Sequence, residues 1–301
     1  MVDEIQHGKR RIRYKGTHPR HFEEKYKELN PERHALELQK VMERGDTPAG
    51  THRPICVREI LEILDPRPGD VGLDATLGFG GHAQEILPRL MPGGRLFGID
   101  VDPVELPRTE ARLRGLGFSE DVLVVRRMNF AGVARLLPEV GGELDFVLAD
   151  LLVENADEPY ARAIARALHG QSIATTTQLA DLVRRALKTA SPAVTRQQET
   201  RKSLQRTFQA LRIAVNEEFG VLEQFLSLLP ICLKPGGRVA ILTFHSGEDR
   251  RVKKAFQTGH RESIYERIAL DPIRPSAEER RANPRSSSAK LRWAVKARPK
   301  D

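Results

Sequence analysis

One short stretch, residues 70–82, most constrains what this chain can fold into. It reads as a buried strand, a glycine-rich turn and the beginning of a helix. Alternate apolar residues before the turn are typical of a strand in a parallel sheet. The turn holds Gly78, Gly80 and Gly81, where backbone can approach a ligand without a Cβ in the way. A helix that begins there would present free N–H groups to an anionic part of a ligand.

A second strand, residues 94–100, follows this helix and ends in an acid. Asp100 lies about 20 residues beyond the turn, the separation at which a carboxylate reaches a ribose hydroxyl in a nucleotide-binding βαβ unit. The dinucleotide fingerprint G-x-G-x-x-G is absent, because the glycines here run G-x-G-G-H. A close glycine pair suits a cofactor without a pyrophosphate, such as S-adenosylmethionine, whose carboxylate is its only anion. A tight turn without a ligand is the competing interpretation, and it leaves the acid at the strand end without a role.

Strand and helix patterns continue to alternate up to residue 150. They predict a helix at 106–116, a strand at 122–125, a helix at 131–137 and a strand at 144–150. This rhythm predicts an α/β fold with a doubly wound, mostly parallel sheet. Ligands bind at the carboxyl ends of the strands in such sheets. The residues that fall at those ends are Gly80, Gly81, Asp100, Phe130 and Asp150.

Changes of composition divide the rest of the chain. Residues 1–50 are predicted to be a basic, partly disordered extension, and 51–152 the first half of the sheet domain with the cofactor site. Residues 153–205 are predicted to be a small helical insertion, whose basic face is either a phosphate-binding surface for RNA or a solvated surface. Residues 206–301 complete the sheet domain with a strand at 239–244 and a basic tail. His245 and Ser246 directly follow that strand and are candidate catalytic residues.

Charge and cysteine usage narrow the function classes. The net charge is +8 and the pI about 9.6, which favours an anionic partner such as nucleic acid, with solubility alone as the alternative. The two cysteines, Cys56 and Cys232, are in neither a metal nor a redox spacing and are expected in the core. No metal-ligand cluster, membrane-spanning run or signal region is visible, so we expect a cytoplasmic protein without a metal. The oligomeric state is left open, with a homodimer among the options.

Several long motifs give the chain a specific resemblance. It resembles the bacterial small-subunit ribosomal RNA cytosine-N4 methyltransferase family (RsmH, also called MraW) over residues 51 to about 297. The matching stretches are 52–54 (HRP), 74–82 (DATLGFGGH), 98–103 (GIDVDP), 129–130 (NF), 149–151 (ADL), 208–217 (FQALRIAVNE), 244–250 (FHSGEDR), 283–285 (NPR) and 288–292 (SAKLR).

The resemblance implies a methyltransferase sheet, S-adenosylmethionine as methyl donor, and ribosomal RNA or the small ribosomal subunit as acceptor. It implies an enzyme that methylates N4 of a cytosine. Asp150 is the candidate acceptor of the amine's hydrogen bonds, with His245 and Ser246 as second candidates. The candidate cofactor-binding residues are Gly78, Gly80, Gly81, His82, Asp100, Phe130 and Asp150. The candidate RNA-binding residues are Arg250, Arg285, Lys290 and Arg292.

Three departures from the family pattern keep other functions open. An active-site segment that the family carries after the strand ending at Asp150 is missing here, Gly247 stands where a leucine is usual, and the N-terminal extension has no counterpart in shorter members. The missing segment makes a non-catalytic RNA-binding relative the alternative function. A nicotinamide-dependent oxidoreductase is a third hypothesis, opposed by the absent G-x-G-x-x-G.

Overall fold

A seven-stranded sheet forms the centre of the fold. The structure, a computed structural model, describes residues 53–151, 159–190, 197–215 and 218–299, so the predicted N-terminal extension lies outside the described residues. The strands are β1 (Val71–Asp74), β2 (Arg95–Asp100), β3 (Leu123–Arg127), β4 (Leu144–Leu151), β5 (Leu233–Thr243), β6 (Tyr265–Ile268) and β7 (Lys290–Lys296). Their order is β3-β2-β1-β4-β5-β7-β6. The first five are parallel and β7 is antiparallel to both of its neighbours.

Helices cover both faces of this sheet. The helices of the described residues are α1 (Val57–Leu64), α2 (Gly81–Leu90), α3 (Glu105–Gly115), α4 (Leu137–Val140), α5 (Ala161–Leu168), α6 (Thr176–Ala190), α7 (Gln197–Val215), α8 (Glu218–Cys232), α9 (Ser246–Arg261) and α10 (Ala277–Ala282). Short 3₁₀ helices span Phe130–Leu136 and Pro284–Ser288. The doubly wound, mostly parallel sheet predicted from the sequence is therefore confirmed.

Two apolar layers fill the space between sheet and helices. Successive strand residues point to opposite faces, so Phe97 and Val147 join the layer that α8 and α9 cover. Leu96 and Phe146 join the layer that α1, α2 and α3 cover. Cys56 and Cys232 are free and fully buried, one in each layer, as expected for core cysteines.

The strand order reverses between β1 and β4. From β1 the chain builds β2 and β3 outward on one side, and β4 and β5 then lie on the other side. The helices that follow the two central strands lie on different faces of such a sheet, which opens a crevice at the carboxyl ends of those strands. This crevice is where the binding site predicted from the sequence should lie.

A separate helical cluster follows β4. Residues Ile164, Leu179, Val183 and Leu187 of α5 and α6 form a small apolar core, against which Phe208 of α7 packs. The sequence pattern assigned Phe208 to the sheet domain, whereas the structure places it in this cluster. The predicted boundary at residue 205 therefore falls within α7.

Two further features complete the fold. The sequence pattern did not predict β6, whose four residues form an edge strand beside β7. Within the described residues, every helix is too short or too polar to span a lipid bilayer.

Candidate active site

A cavity of about 490 Å³ lies at the carboxyl ends of the central strands. This volume is typical of small-molecule and cofactor sites. It is lined by Ala75, Thr76, Asp100, Val101, Met128, Asn129, Phe130, Asp150, Leu151, Glu218, Val221, Leu222 and Glu248. The wall thus combines the ends of β1, β2, β3 and β4 with the first turns of α8 and α9. Three of the predicted site residues, Asp100, Phe130 and Asp150, meet in it.

Asp100, the last residue of β2, is held in place by two backbone donors. Its Oδ2 accepts a hydrogen bond from the Gly78 N–H at 2.8 Å, and its Oδ1 accepts one from the Asp102 N–H at 3.0 Å. The glycine turn predicted from the sequence therefore contributes by orienting this carboxylate. An ionised carboxylate fixed in this way can accept hydrogen bonds from vicinal hydroxyls of a ribose.

Asp150, near the end of β4, has one oxygen with no hydrogen bond. Its backbone N–H donates to Thr76 Oγ1 at 2.6 Å, which ties β4 to the loop after β1. Its Oδ1 is buried and makes no hydrogen bond within the described residues. Burial first, and the carboxylate of Asp74 second, raise the pKa of Asp150 to about 7. A buried acceptor at a cavity wall, with a pKa close to neutrality, is suited to general acid–base work.

Asp74 lies behind Asp150 at the end of β1. It is 2% exposed, and its Oδ1 accepts a hydrogen bond from the Thr76 N–H at 3.1 Å. Burial raises the pKa of Asp74 to about 7; the Thr76 hydrogen bond lowers that pKa and the Asp100 carboxylate raises it. The central strands therefore end in a group of buried or half-buried acids.

His82, in the first turn of α2, lies against Asp150 and is absent from the cavity wall. Its Nε2 is 2.9 Å from the carbonyl oxygen of Ile55, and its Nδ1 is 3.8 Å from Asp150 Oδ2. A carbonyl only accepts, so Nε2 carries the proton. Burial lowers the pKa of His82 and keeps the ring neutral, although the Ile55 carbonyl opposes this shift.

Two glycines of the turn lie close to neighbouring side chains of the protein. Gly80 has φ +67°, and a Cβ there would lie 2.9 Å from Thr109 Cγ2 and 3.0 Å from Leu113 Cδ1 of α3. A Cβ on Gly81 would lie 3.0 Å from Pro54. Neither glycine, nor Gly78, is in the cavity wall. In the structure, Gly80 lets the turn before α2 pack closely against α3, and Gly81 lets the beginning of α2 pack closely against Pro54.

His245 and Ser246 begin α9. The His245 Nδ1 accepts a hydrogen bond from the Gly247 N–H at 2.9 Å, and Glu248 Oε2 accepts one from the His245 N–H at 3.3 Å. The Glu248 N–H also donates to the His245 side chain, so His245 and Glu248 form a reciprocal capping box at the beginning of α9. Neither His245 nor Ser246 lines the cavity, whereas Glu248 does. The sequence motif therefore pointed to the right segment, and the residue that reaches the site is the glutamate.

The RNA-binding candidates divide into two classes. Arg250 and Arg285 are exposed. The prediction is wrong for Arg292, whose side chain is 4% exposed and donates from Nε to Asp249 Oδ1 at 2.6 Å. Lys290 is also largely buried, with its Nζ 3.5 Å from Asp249 Oδ2. Both cations are neutralised inside the fold, because the tail forms a strand of the sheet and its side chains pack under α9.

One cluster outside the cavity has possible metal ligands. Among the described residues, Cys56, Glu59 and Glu279 bring their ligand atoms within 4.8 Å of one another. Metal binding requires a thiolate, but burial raises the pKa of the Cys56 thiol to about 12. Glu279 already accepts a hydrogen bond from the Cys56 N–H at 2.8 Å. The cluster is a helix-to-helix contact and does not support a metal centre.

The charge of the cavity wall distinguishes between candidate cofactors. It carries four acids, Asp100, Asp150, Glu218 and Glu248, and none of the residues that line it is Lys, Arg or His. S-adenosylmethionine bears a sulfonium and an ammonium group and is a net cation, so this wall fits it. The pyrophosphate of a nicotinamide dinucleotide would meet carboxylates with no cation to balance it, which speaks against the oxidoreductase hypothesis.

This chain is similar in sequence to known methyltransferases. The model of the MraW methylase family matches residues 49–156 and 148–297. Ribosomal RNA small subunit methyltransferase H 2 of Alkaliphilus metalliredigens is 48% identical, over 96% of this chain and 97% of that protein. Ribosomal RNA small subunit methyltransferase H 1 of Lachnoclostridium phytofermentans is 45% identical, over 96% and 93%. The solved structure of TrmN from Thermus thermophilus overlays with a TM-score of 0.45 at 16% identity, over 80% of this chain and 48% of that one.

The same comparisons locate a gap in this chain. The alignment with the Alkaliphilus protein extends over 342 positions, whereas 96% of 301 residues is about 289, so about 53 positions face a gap here. The family model breaks where its two matched segments meet, at residues 148–156. The break in the family match lies where the sequence motifs indicated that a segment after Asp150 is missing. In all other respects the match extends over nearly the whole of both proteins, and the chain belongs to the MraW methylase family of S-adenosylmethionine-dependent methyltransferases.

Proposed function

We propose that this protein transfers a methyl group from S-adenosylmethionine to the exocyclic N4 of a cytosine in small-subunit ribosomal RNA. The relatives named above are ribosomal RNA small subunit methyltransferases. The observation that carries the proposal is the buried Asp150 Oδ1 at the cavity wall, which makes no hydrogen bond within the described residues.

The chemistry of the acceptor explains why such an oxygen is needed. The lone pair of the cytosine amine is delocalised into the ring, so the amine is a poor nucleophile. An enzyme must hold it about 3 Å from the methyl carbon and accept its hydrogen bonds. Asp150 Oδ1 can accept one N–H of this amine and then take its proton as the N–C bond forms. A pKa of about 7 makes this carboxylate available as a base at neutral pH.

Other residues of the wall suit the donor. Asp100 is placed to bind ribose hydroxyls, and the apolar side chains of Val101, Met128 and Phe130 offer a surface for the adenine ring. When bound, S-adenosylmethionine supplies the methyl group, and its sulfur keeps the electron pair of the broken bond. The acids of the wall favour the cationic donor over the neutral thioether product, which assists product release.

Exposed cations on α9 and α6 support an RNA acceptor. Arg250 begins the second turn of α9, whose first turn lines the cavity, and Arg184, Arg185 and Lys188 form an exposed basic face on α6. Such residues bind phosphates without reading sequence. A base would have to leave its stack to enter a cavity at the strand ends. With ribosomal RNA as the acceptor, we expect the protein to act in the cytoplasm.

The test is methyl transfer followed by identification of the product nucleoside. The protein is incubated with methyl-labelled S-adenosylmethionine and small ribosomal subunits that lack the modification, and the RNA is then digested. We expect label in N4-methylcytidine, a loss of at least about 100-fold with Asp150→Asn, and no loss with Asp271→Asn, which removes an exposed carboxylate. Label in a different nucleoside would contradict the cytosine assignment.

A second candidate function is RNA binding without turnover. It is favoured by one observation, the break in the family match at residues 148–156, where the strand that carries Asp150 ends. In that case the protein binds S-adenosylmethionine and small subunits, and no label enters the RNA even when enzyme exceeds substrate. Parallel binding measurements on the same samples separate this result from a protein that has not folded.

A further inference from the structure

His82 and Asp150 lie side by side, and the hydrogen bond to Ile55 decides which ring nitrogen of His82 faces Asp150. The Nε2–H of His82 is committed to the Ile55 carbonyl at 2.9 Å. The opposite ring nitrogen, Nδ1, therefore carries a lone pair, and it faces Asp150 Oδ2 at 3.8 Å. His82 is 7% exposed and the Asp150 side chain 15% exposed, so little water reaches the contact. A lone pair and an ionised carboxylate repel each other, but a protonated carboxyl donates to such a lone pair.

The two oxygens of Asp150 thus have different surroundings. Oδ1 is the oxygen without a hydrogen bond within the described residues, and Oδ2 is the one next to His82. The pair is about 1 Å too far apart for a hydrogen bond. A small rotation of the carboxyl group closes that distance, and catalytic hydrogen bonds are often long before a substrate binds.

We propose that His82 is a positioning residue for the methyl transfer: its Nδ1 accepts a hydrogen bond from the protonated carboxyl group that Asp150 forms when it deprotonates the substrate amine. This inference rests on the function proposed above. The nucleophilic nitrogen gains a bond to the methyl carbon and loses one proton to Asp150. The proton is taken by Oδ1, and a half-turn of the carboxyl group about its Cβ–Cγ bond exchanges the two oxygens and brings the protonated one next to His82 Nδ1, to which it donates a hydrogen bond. The proton leaves to solvent after the product has left the cavity, which restores the carboxylate.

The surroundings of the pair support storage of the proton on Asp150. Burial lowers the pKa of His82, so the ring remains an acceptor and does not become an imidazolium. The titratable groups that face Asp150 are acids or a thiol, namely Asp74 on β1, Asp100 on β2, Cys56 before α1, Glu218 on α8 and Glu248 on α9. Because none of these is a cation, nothing in this set opposes protonation of Asp150, and His82 provides its hydrogen-bond acceptor.

Two substitutions at position 82 distinguish the roles of the two ring nitrogens. The amide nitrogen of His82→Gln can replace Nε2 and donate to the Ile55 carbonyl, but leaves no acceptor at the place of Nδ1. The amide oxygen of His82→Asn lies near the place of Nδ1 and accepts from Asp150, but leaves the Ile55 carbonyl without its donor. A merely structural role for His82 predicts that the Asn variant is the more damaged one. The proposed role predicts that the Gln variant has the altered proton affinity.

The pKa of Asp150 can be measured without turnover. Protein labelled with ¹³C at the aspartate carboxyl carbons is titrated by NMR, and the Asp150 resonance is assigned by its loss in Asp150→Asn. We expect it to titrate near pH 7 in the wild type and in His82→Asn, and about half to one unit lower in His82→Gln, the size of one lost hydrogen bond to the neutral form. The acid limb of the pH–rate profile should shift by the same amount.

Each result has a clear meaning. If His82→Gln leaves the Asp150 pKa unchanged, or both variants shift it equally, the role of His82 is refuted, whether or not the enzyme is active. If the NMR shift appears but wild-type protein methylates no RNA, the His82–Asp150 coupling stands and the proposed function fails.

Discussion

The guanidinium group of Arg292 contacts both carboxylate oxygens of Asp249: Nε donates to Oδ1 at 2.6 Å and Nη2 donates to Oδ2 at 3.4 Å. Asp249 lies on α9 and Arg292 on β7, so the pair fastens the helix beside the active site to the antiparallel strand of the sheet. Arg292 also donates to the carbonyl oxygen of Leu270 at 3.3 Å. A cation held this way stabilises the fold and is not available to RNA.

Removing the Arg292 side chain should lower the free energy of unfolding. Arg292→Ala leaves the partly buried Asp249 carboxylate with Lys290 as its remaining ion-pair partner among the described residues. Breaking a buried pair from one side typically costs about 3–5 kcal/mol. We expect a lower free energy of unfolding in urea. The matched control is Arg250→Ala, one residue beyond Asp249 on the exposed side of α9, which should change that free energy by no more than about 0.5 kcal/mol. Equal effects of the two variants would contradict the assignment.

Arg250, unlike Arg292, should contribute to RNA binding. Arg250→Ala removes an exposed cation, and we expect weaker binding to small-subunit RNA together with a salt dependence that falls by about one unit of slope. The measurement is fluorescence anisotropy at several salt concentrations. An unchanged slope would show that no phosphate is bound by Arg250.

Asp100 should control the affinity for the methyl donor. Asp100→Ala removes the carboxylate at the cavity wall and the acceptor of the Gly78 N–H. Hydrogen bonds to charged groups contribute about 1.5–3 kcal/mol, so we expect the Kd for S-adenosylmethionine to rise about 10- to 100-fold in calorimetry. Asp70→Ala removes the same charge directly before β1, at the opposite end of this strand from the cavity. This variant should leave Kd near the wild-type value. An effect of equal size from Asp70 would mean that only net charge matters.

The buried acids should make stability depend on pH. The pKa of Asp150 rises from 3.8 to about 7 on folding, so the folded state binds more protons than the unfolded state between about pH 4 and pH 7. Stability therefore falls as pH rises through this window and stays low above it. One pKa unit corresponds to about 1.4 kcal/mol, so Asp150→Asn should be more stable than wild type by between about 1 and 4 kcal/mol at pH 9.

Urea unfolding at about pH 4, 7 and 9 checks this prediction. At the lowest pH the carboxyl group of the folded wild type is already protonated, so the two proteins should unfold alike. Asp271→Asn, which removes an exposed carboxylate, should show no such pH-dependent gain. A wild-type advantage at pH 9 would mean that the ionised Asp150 is stabilised by a partner.

The sequence predicted the sheet well because its signals are local. Alternating apolar residues and glycine turns define each strand and helix from within a few residues, and Asp100 and Asp150 could be placed at strand ends without any knowledge of packing. The same reasoning could not separate Arg250 from Arg292. Both are arginines in polar motifs, and only the pairing of β7 with β5 decides that one of them lies under α9.

The sequence also did not show which distant segments contribute side chains to the cavity. Glu218 and Glu248 reach the cavity from α8 and α9, and the sequence gives no distance between those helices and β1. The family resemblance implied that His82 contacts the cofactor, whereas its ring turns inward to Ile55 and Asp150. Glycines in such a turn have two possible reasons, ligand approach and close packing, and only the neighbouring helix distinguishes them.

That distinction can be tested at Gly80. A Cβ there would lie 2.9 Å from Thr109 Cγ2, and the φ of +67° is unfavourable for alanine. We expect Gly80→Ala to lower the free energy of unfolding by about 2–4 kcal/mol, from the backbone conformation and from overpacking together. Gly78 has φ +48°, and a Cβ there would have no neighbouring atom nearer than 3.7 Å. Gly78→Ala should therefore lower the free energy of unfolding by only about 1 kcal/mol.

The double variant Gly80→Ala with Thr109→Ser separates packing from ligand approach. Serine keeps the hydroxyl that donates to the Gly78 carbonyl at 2.6 Å and removes only the methyl group that the new Cβ would strike. If Gly80 is required for packing, the double variant should recover about 1 kcal/mol or more of the lost stability. If Gly80 instead makes room for the donor, Gly80→Ala should unfold like Gly78→Ala but bind S-adenosylmethionine far more weakly, with no recovery from Thr109→Ser.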